Sequence, residues 1–187
     1  MKIVIAHGSF GKPHENWIPW LEEKLDEKGV EYLTPVFPTP NHQNYSDWEK
    51  VLDLYKSFGC FNEDTIFIGH SCGAIFLAQY IVKKKFSCKA YISVAGYNEF
   101  KSGDALMDKL NGSFYIPPKE LSRINKYAKT RIAFFSDNDP HIPQEKLKEL
   151  PSIIEAEPII LKNGGHINKS AGYTTFRELI EIIDRIK

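Results

Sequence analysis

The stretch that decides the fold is residues 64–84, DTIFIGHSCGAIFLAQYIVKK. Its first part, Asp64–Ile68, ends in the apolar residues Ile66, Phe67 and Ile68 and is predicted to be a buried strand. Its last part, Ala74–Lys84, is apolar almost all round, which predicts a buried helix. The pentapeptide between them fits the pattern Gly-x-Ser-x-Gly and must turn the chain sharply from strand to helix. The sequence therefore predicts a strained turn with an exposed serine, Ser71, at the end of a strand.

Glycine is required at Gly69 and Gly73 because the residues two before and two after the serine lie close together in such a turn. The Ser71 hydroxyl then projects from the sheet, where it could act as a nucleophile. The amide of Cys72 points the same way from a helix N-terminus, ready to stabilise an oxyanion. The same position predicts a lowered pKa for the Cys72 thiol. A phosphate-binding loop, the alternative, needs Lys-Ser or Lys-Thr after a longer glycine spacing, which this turn does not have.

Outward from this turn, strands alternate with helices along the chain. The predicted strands are Lys2–Ala6, Val30–Pro35, Asp64–Ile68, Ala90–Val94, Arg131–Phe135 and Pro158–Leu161. The predicted helices are Trp17–Lys28, Asp47–Phe58, Ala74–Lys84, a short one after Pro117-Pro118, and Tyr173–Ile186. This alternation predicts a three-layer α/β/α sandwich around a mostly parallel sheet of about five to six strands. Catalytic groups should then follow strands, because chemistry in such sheets gathers at the carboxyl ends of the strands.

A serine hydroxyl is a weak nucleophile without a base, and a histidine base needs a carboxylate to hold it. Of the six histidines, His166 is favoured because it follows a pair of glycines after the last predicted strand. His70 adjoins the serine and is expected to point away from it, in a supporting or structural role. Two carboxylates, Asp137 and Asp139, both follow the fifth predicted strand. Both are candidates for the acid, and the other would cap the turn.

The loop after the first strand, His7-Gly8-Ser9-Phe10, is expected to supply a second oxyanion donor. The backbone N–H of either Ser9 or Phe10 would serve, and the sequence leaves the choice open. The pocket walls are expected from this loop, from segment 97–127 and from the turn at 140–143. The residues expected to contact substrate are Trp17, Tyr97, Phe100, Tyr115 and Ile142.

These motifs resemble those of the α/β-hydrolases, and within that fold the small serine hydrolases grouped with retinoblastoma-binding protein 9. The matching residues are His7-Gly8, Trp17 with Trp20-Leu21, residues 69–73, Asp139-Pro140-His141-Ile142-Pro143 and Gly165-His166. The resemblance implies a catalytic triad of Ser71, Asp139 and His166, in the nucleophile–acid–base order of this fold, and favours Asp139 over Asp137. It also implies one α/β-hydrolase domain over residues 1–187, a short form of the fold that lacks the first two strands. Segment 97–127 is the place for a small lid.

The expected function is that of a serine hydrolase which cleaves small carboxylic esters or thioesters through an acyl-serine intermediate. An amidase or peptidase with the same triad is an alternative, because all share the acyl-enzyme step. A protein-interaction module with little turnover on a hydrolase scaffold is another. No cofactor is expected, and no metal, because the chain has no His-Glu-x-x-His and no paired cysteine motif.

Composition limits the partners and the cellular compartment. Twenty-four Lys and Arg residues balance twenty-four Asp and Glu residues, so neither nucleic acid nor a membrane is expected as a partner. A small-molecule acyl substrate is expected, and the sequence leaves a protein partner open without indicating one. The apolar start is too short for a signal peptide, and no stretch is long enough to cross a bilayer. Three cysteines form no paired framework. Together these features predict a reduced, cytoplasmic protein.

Overall fold

The structure, a computed structural model, describes residues 1–187 and contains one sheet of six strands. The strands are β1 (Lys2–Ala6), β2 (Glu31–Leu33), β3 (Thr65–His70), β4 (Cys88–Val94), β5 (Ala128–Ser136) and β6 (Glu157–Leu161). The helices are α1 (Ile18–Glu27), α2 (Tyr45–Ser57), α3 (Cys72–Lys84), α4 (Ala105–Asn111), α5 (Pro118–Leu121), α6 (Gln144–Ile153) and α7 (Arg177–Ile186). The strand order is β2-β1-β3-β4-β5-β6. Every neighbouring pair is parallel, as the alternation of strands and helices predicts.

All six predicted strands are present, and the main difference lies in two helices that the pattern missed. The helix α6 carries Pro151 in its interior, a residue that usually ends a helix and so hides the helical period. The helix α4 has seven residues and buries only Asn111, so it has almost no apolar stripe to detect. The last helix begins at Arg177 rather than Tyr173, and β3 runs through His70 up to the serine turn.

The core has two faces because side chains alternate along each strand. In β3, Ile66 and Ile68 pack on one face while Phe67 packs on the other. The first face is covered by α1 and α7, and the second by α2 and α3. This is the three-layer arrangement that the sequence predicts. Every residue of α3 from Cys72 to Val82 is buried, which explains its apolar composition.

The register of the sheet brings five strand ends to one edge. Ala6 pairs with Gly69, His70 pairs with Val94, and Ser136 pairs with Leu161. The loops that follow β1, β3, β4, β5 and β6 therefore meet above the same edge. No helix of the structure is both long enough and apolar enough to span a membrane.

Candidate active site

A cavity of about 540 Å³ opens above the carboxyl ends of the strands. Ser71 and His166 both line it, together with Gly8, Ser9 and Tyr97. Another concavity, of about 500 Å³, lies around Lys2 at the start of β1 and the edge strand β2, and no serine or histidine lines it. The candidate catalytic residues Ser71 and His166 therefore lie at the edge of the sheet where parallel α/β proteins bind ligands.

The backbone of Ser71 is strained in the way that the Gly-x-Ser-x-Gly motif predicts. Its φ of 54° and ψ of −125° lie where residues other than glycine rarely go. The serine N–H donates to the carbonyl of Val94 at 2.8 Å, and the serine carbonyl accepts from the N–H of Ala74 at 3.0 Å. These two bonds tie the turn to β4 on one side and to α3 on the other.

The two flanking glycines are required by direct backbone contact. A Cβ atom on Gly69 would lie 2.3 Å from the Cα of Ala74, and one on Gly73 would lie 2.3 Å from the carbonyl oxygen of His7. The loop after β1 also presses on the serine, because a Cβ on Gly8 would lie 3.0 Å from the Ser71 Cβ. The turn is therefore enclosed by backbone that has no room to move aside.

Replacing Gly73 by alanine should lower the free energy of unfolding by about 3 kcal/mol, because the added methyl group meets a main-chain carbonyl oxygen. Gly112 is the matched control, since it has a φ of −57° and a Cβ added there would meet no atom within 4 Å. Gly112→Ala should stay within about 0.5 kcal/mol of the parent protein. Urea denaturation of both variants measures the difference. Equal midpoints for the two variants would contradict the steric account.

The carboxylate of Asp139 holds the His166 ring at hydrogen-bonding distance. Asp139 Oδ2 lies 2.7 Å from His166 Nδ1. Asp139 Oδ1 accepts the backbone N–H groups of His141 and Ile142 at 2.8 and 3.0 Å. The Asp139 side chain is 0% exposed and that of His166 is 10% exposed. Both carboxylate oxygens are therefore occupied, and the ring is held from its Nδ1 side.

The charge state of Asp139 follows from its contacts. Burial alone would raise its pKa, but the hydrogen bond and charge of His166 and the two backbone N–H donors outweigh burial and leave the pKa below its ordinary value. An ionised carboxylate accepts only, so His166 Nδ1 carries the proton in this bond. The other ring nitrogen, Nε2, has no hydrogen-bond partner in the protein and is available as a proton acceptor.

Three neighbours of Asp139 hold the loop that carries His166, which we call the base loop (residues 162–168). Asp137 Oδ1 accepts the N–H of Asn163 at 2.7 Å, and Asn138 Oδ1 accepts the N–H of Gly165 at 2.8 Å. The Ser136 hydroxyl donates to the carbonyl of Gly165. The sequence reveals this run only as turn-forming residues, because their partners lie more than twenty residues away.

The two candidate oxyanion donors of the first loop have different partners. The N–H of Phe10 donates to Thr39 Oγ1 at 2.9 Å, whereas the N–H of Ser9 bonds no backbone carbonyl and faces the Cys72 sulfur. The Ser9 hydroxyl lies 2.8 Å from Asn111 Oδ1 and 2.8 Å from Gln43 Nε2. Gln43, Asn111 and Thr39 therefore support this loop, and their separation along the chain hid them from motif analysis.

Four of the five residues expected to contact substrate line the cavity: Tyr97, Phe100, Tyr115 and Ile142. The expectation for Trp17 is wrong. Its side chain is fully buried in the core, where the ring packs edge-on against Phe176 at 5.6 Å. The indole Nε1 donates to the carbonyl of Ile167 at 3.1 Å. A large apolar ring with one polar atom gains most when it is buried with that atom bonded.

The lowered pKa expected for the Cys72 thiol is also wrong. Burial raises its pKa to about 12, although Ser9 Oγ lies 3.1 Å from the sulfur. The thiol is excluded from water, and the cost of burying a thiolate outweighs the favourable field of the helix N-terminus. All three cysteines are unpaired. No group of three or more His, Cys, Asp or Glu side chains is placed to hold a metal ion.

The parallel sheet, the strained serine turn and the buried carboxylate–histidine pair define the class as that of the α/β-hydrolases. Solved structures share this fold. The ydeN gene product from B. subtilis has a TM-score of 0.87 at 22% identity, covering 99% of this chain and 97% of that one. Est1E from Butyrivibrio proteoclasticus, bound to ferulic acid, has a TM-score of 0.72 at 15% identity. The match covers 100% of this chain and 86% of that one.

Within this class, the profile of the serine hydrolase family matches residues 3–185, and the chain belongs to that family. The serine hydrolase RBBP9 of Rattus norvegicus is 26% identical over 182 residues, which cover 97% of this chain and 91% of the rat protein. The resemblance that the motifs indicate is thereby confirmed, and the protein is a hydrolase.

Proposed function

We propose that this hydrolase cleaves small carboxylic esters or thioesters, with Ser71 as nucleophile, His166 as base and Asp139 as the group that orients the base. The observation that carries this proposal is the 2.7 Å bond between Asp139 Oδ2 and His166 Nδ1, in the wall of the cavity that the strained Ser71 also lines. A bonded Nδ1 leaves Nε2 free to take the serine proton, which is the arrangement that acyl transfer requires.

The reaction proceeds in two halves. Ser71 Oγ bonds to the carbonyl carbon of the substrate while its proton passes to His166 Nε2, and the carbonyl oxygen becomes an oxyanion. The bond to the leaving oxygen or sulfur then breaks, and that atom takes the proton from His166. Water attacks the acyl-serine in the same way, and it releases the carboxylic acid and restores the hydroxyl.

The oxyanion is stabilised by the backbone N–H groups of Cys72 and Ser9. Cys72 is the first residue of α3, where N–H groups have no partner within the helix. Ser9 is preferred to Phe10 because the N–H of Phe10 is already bonded to Thr39 Oγ1. Two such donors at a water-poor site supply a large part of the rate enhancement of acyl transfer.

The charges around the cavity favour neutral or cationic substrates over anionic ones. Three carboxylates line it, those of Glu15, Asp104 and Asp108, and no Lys or Arg does. The walls near the serine are aromatic and aliphatic, from Tyr97, Phe100 and other residues of the cavity, which suits a short acyl chain. Segment 97–127 contributes α4 and several of these side chains, and we propose that it serves as the small lid.

The purified protein should react with a fluorophosphonate probe and should hydrolyse p-nitrophenyl acetate and butyrate. Among aryl esters of matched size, a neutral one should exceed one with an added carboxylate by about tenfold in kcat/KM, because like charges repel across the cavity. Raising the salt concentration should narrow that difference. Steady-state kinetics at two ionic strengths provide the measurement.

The same panel separates the alternatives. Matched anilides test for amidase activity, and thioesters are compared with oxygen esters of the same acyl group. Complete absence of both labelling and hydrolysis would reject the proposed function and favour the interaction module. A preference for the anionic ester would reject the charge argument alone.

A further inference from the structure

The base loop has a strained backbone that local sequence does not explain. Ile167, directly after His166, has a φ of 49°, and this left-handed conformation is a clear outlier for a β-branched residue. Asn163 and Gly165 also have positive φ values, 54° and 53°. Glycine and asparagine adopt such values readily, whereas the conformation of Ile167 persists only where surrounding groups over-determine it. Residues 136–138 hold one end of the loop, and another support is needed at the end that carries His166.

The side chain of His70 supplies part of this support. Its Nε2 lies 2.9 Å from the carbonyl oxygen of His166, and the residue is buried. A carbonyl oxygen only accepts, so Nε2 carries the proton and donates. Burial and the nearby His166 lower the pKa of His70 to about 3, so the ring is neutral and remains a single-proton donor through the working pH range.

The indole of Trp17 supports the next carbonyl of the base loop. Its Nε1 donates to the carbonyl of Ile167 at 3.1 Å, and the ring is fully buried. The rings of Trp17 and His70 meet edge-on at 6.2 Å. Two adjacent side chains therefore bind two successive carbonyls, those of His166 and Ile167, and they reach the loop from elements far apart in sequence.

We propose that His70 and Trp17 are positioning residues that hold the imidazole of His166 in line with Ser71 by clamping these two carbonyls. The inference rests on the proposed function, in which His166 is the base. A displacement of about 1 Å at a reacting group lowers the rate by about 100-fold. The clamp therefore acts on kcat. Trp17 gives the cleaner test of this, because His70 also lines the cavity whereas Trp17 does not.

Two variants remove one donor each while keeping an aromatic ring. His70→Phe and Trp17→Phe should each lower kcat by about 10- to 100-fold, and in Trp17→Phe the KM should change less than about threefold. His70→Gln keeps an N–H donor near the position of Nε2 and should retain kcat within about threefold. Trp48→Phe is the matched control for Trp17→Phe, because Trp48 is equally buried and its Nε1 donates to the carbonyl of Pro38 at 2.8 Å. It should lower the melting temperature without an accompanying fall in kcat.

Hydrogen exchange of residues 162–168, followed by mass spectrometry, gives a readout that does not need activity. Exchange should be faster in His70→Phe and Trp17→Phe than in the parent protein, and unchanged in His70→Gln and Trp48→Phe. Unchanged exchange and unchanged kcat in the two Phe variants would overturn the clamp, and so would a glutamine variant as slow as His70→Phe. If the parent protein shows no hydrolysis or labelling, the proposed function fails, and the exchange result still decides whether the clamp holds the loop.

Discussion

Replacement of Ser71 by alanine is expected to lower kcat for p-nitrophenyl ester hydrolysis by about 10⁴-fold or more and to abolish fluorophosphonate labelling. Without Oγ no acyl-serine forms, and the remaining rate comes from binding and oxyanion stabilisation alone. The φ of Ser71 is 54°, which strains any residue that carries a Cβ, and alanine adds no atom to the turn, so the fold should persist. Kinetics, gel-based labelling and the thermal midpoint measure the three effects.

Ser93 offers the matched control for this substitution. Its side chain is buried in β4, and its hydroxyl makes no hydrogen bond. Ser93→Ala removes the same atom from a place that does not line the cavity, and it should leave labelling and kcat within about twofold of the parent. Labelling that survives in Ser71→Ala, or that maps to another residue, would contradict the assignment of the nucleophile.

Asp139→Asn is expected to lower kcat by about 10⁴-fold. The backbone N–H groups of His141 and Ile142 both point at Oδ1, so the side-chain oxygen of asparagine must stay there. The amide NH₂ then faces His166 and donates to Nδ1. This reverses the tautomer and places the proton on Nε2, which can no longer accept the proton of Ser71. The fall in kcat is measured by steady-state kinetics over a range of pH.

The neighbouring aspartate is the control for this change. Asp137 uses Oδ1 to accept the N–H of Asn163, and asparagine can do the same. Asp137→Asn should therefore keep kcat within about threefold. A large loss in Asp137→Asn together with a mild loss in Asp139→Asn would show that the roles of the two carboxylates are reversed.

The predictions that agree with the structure are those that depend on local pattern. Short apolar runs identify the central strands β1, β3 and β4 most clearly, because a strand buried on both faces needs apolar residues throughout. The requirement for Gly69 is equally local, because a Cβ there would meet Gly73 and Ala74, whereas the requirement for Gly73 comes from the distant backbone of Ala6 and His7. The missed helix α6 shows the limit of this approach, because Pro151 conceals a period that tertiary packing of Leu147 and Leu150 restores.

The questions that the sequence left open or answered wrongly concern residues whose contacts lie far away in the chain. In the sequence, Ser9 and Phe10 are equal alternatives for the oxyanion donor, and the hydrogen bond from the Phe10 N–H to Thr39 is the reason that Ser9 is proposed. The sequence pattern predicts that Trp17 lines the pocket and that the pKa of the Cys72 thiol is lowered. Both predictions are wrong because both side chains are buried. Nothing near these residues in sequence reports how deeply they are buried.

The sequence by itself determined the order of the strands along the chain, the strained turn at Ser71 and the set of residues from which the proposed triad is drawn. These follow from apolar periodicity and from the need for glycine where backbone meets backbone. Only the tertiary structure decided that Asp139 rather than Asp137 bonds His166, that the Phe10 N–H bonds Thr39, and that His70 and Trp17 donate to carbonyls of the base loop. The reason is physical. Hydrogen bonds and burial depend on which residues are close in space, and a single sequence shows this closeness only for residues that are neighbours in the chain.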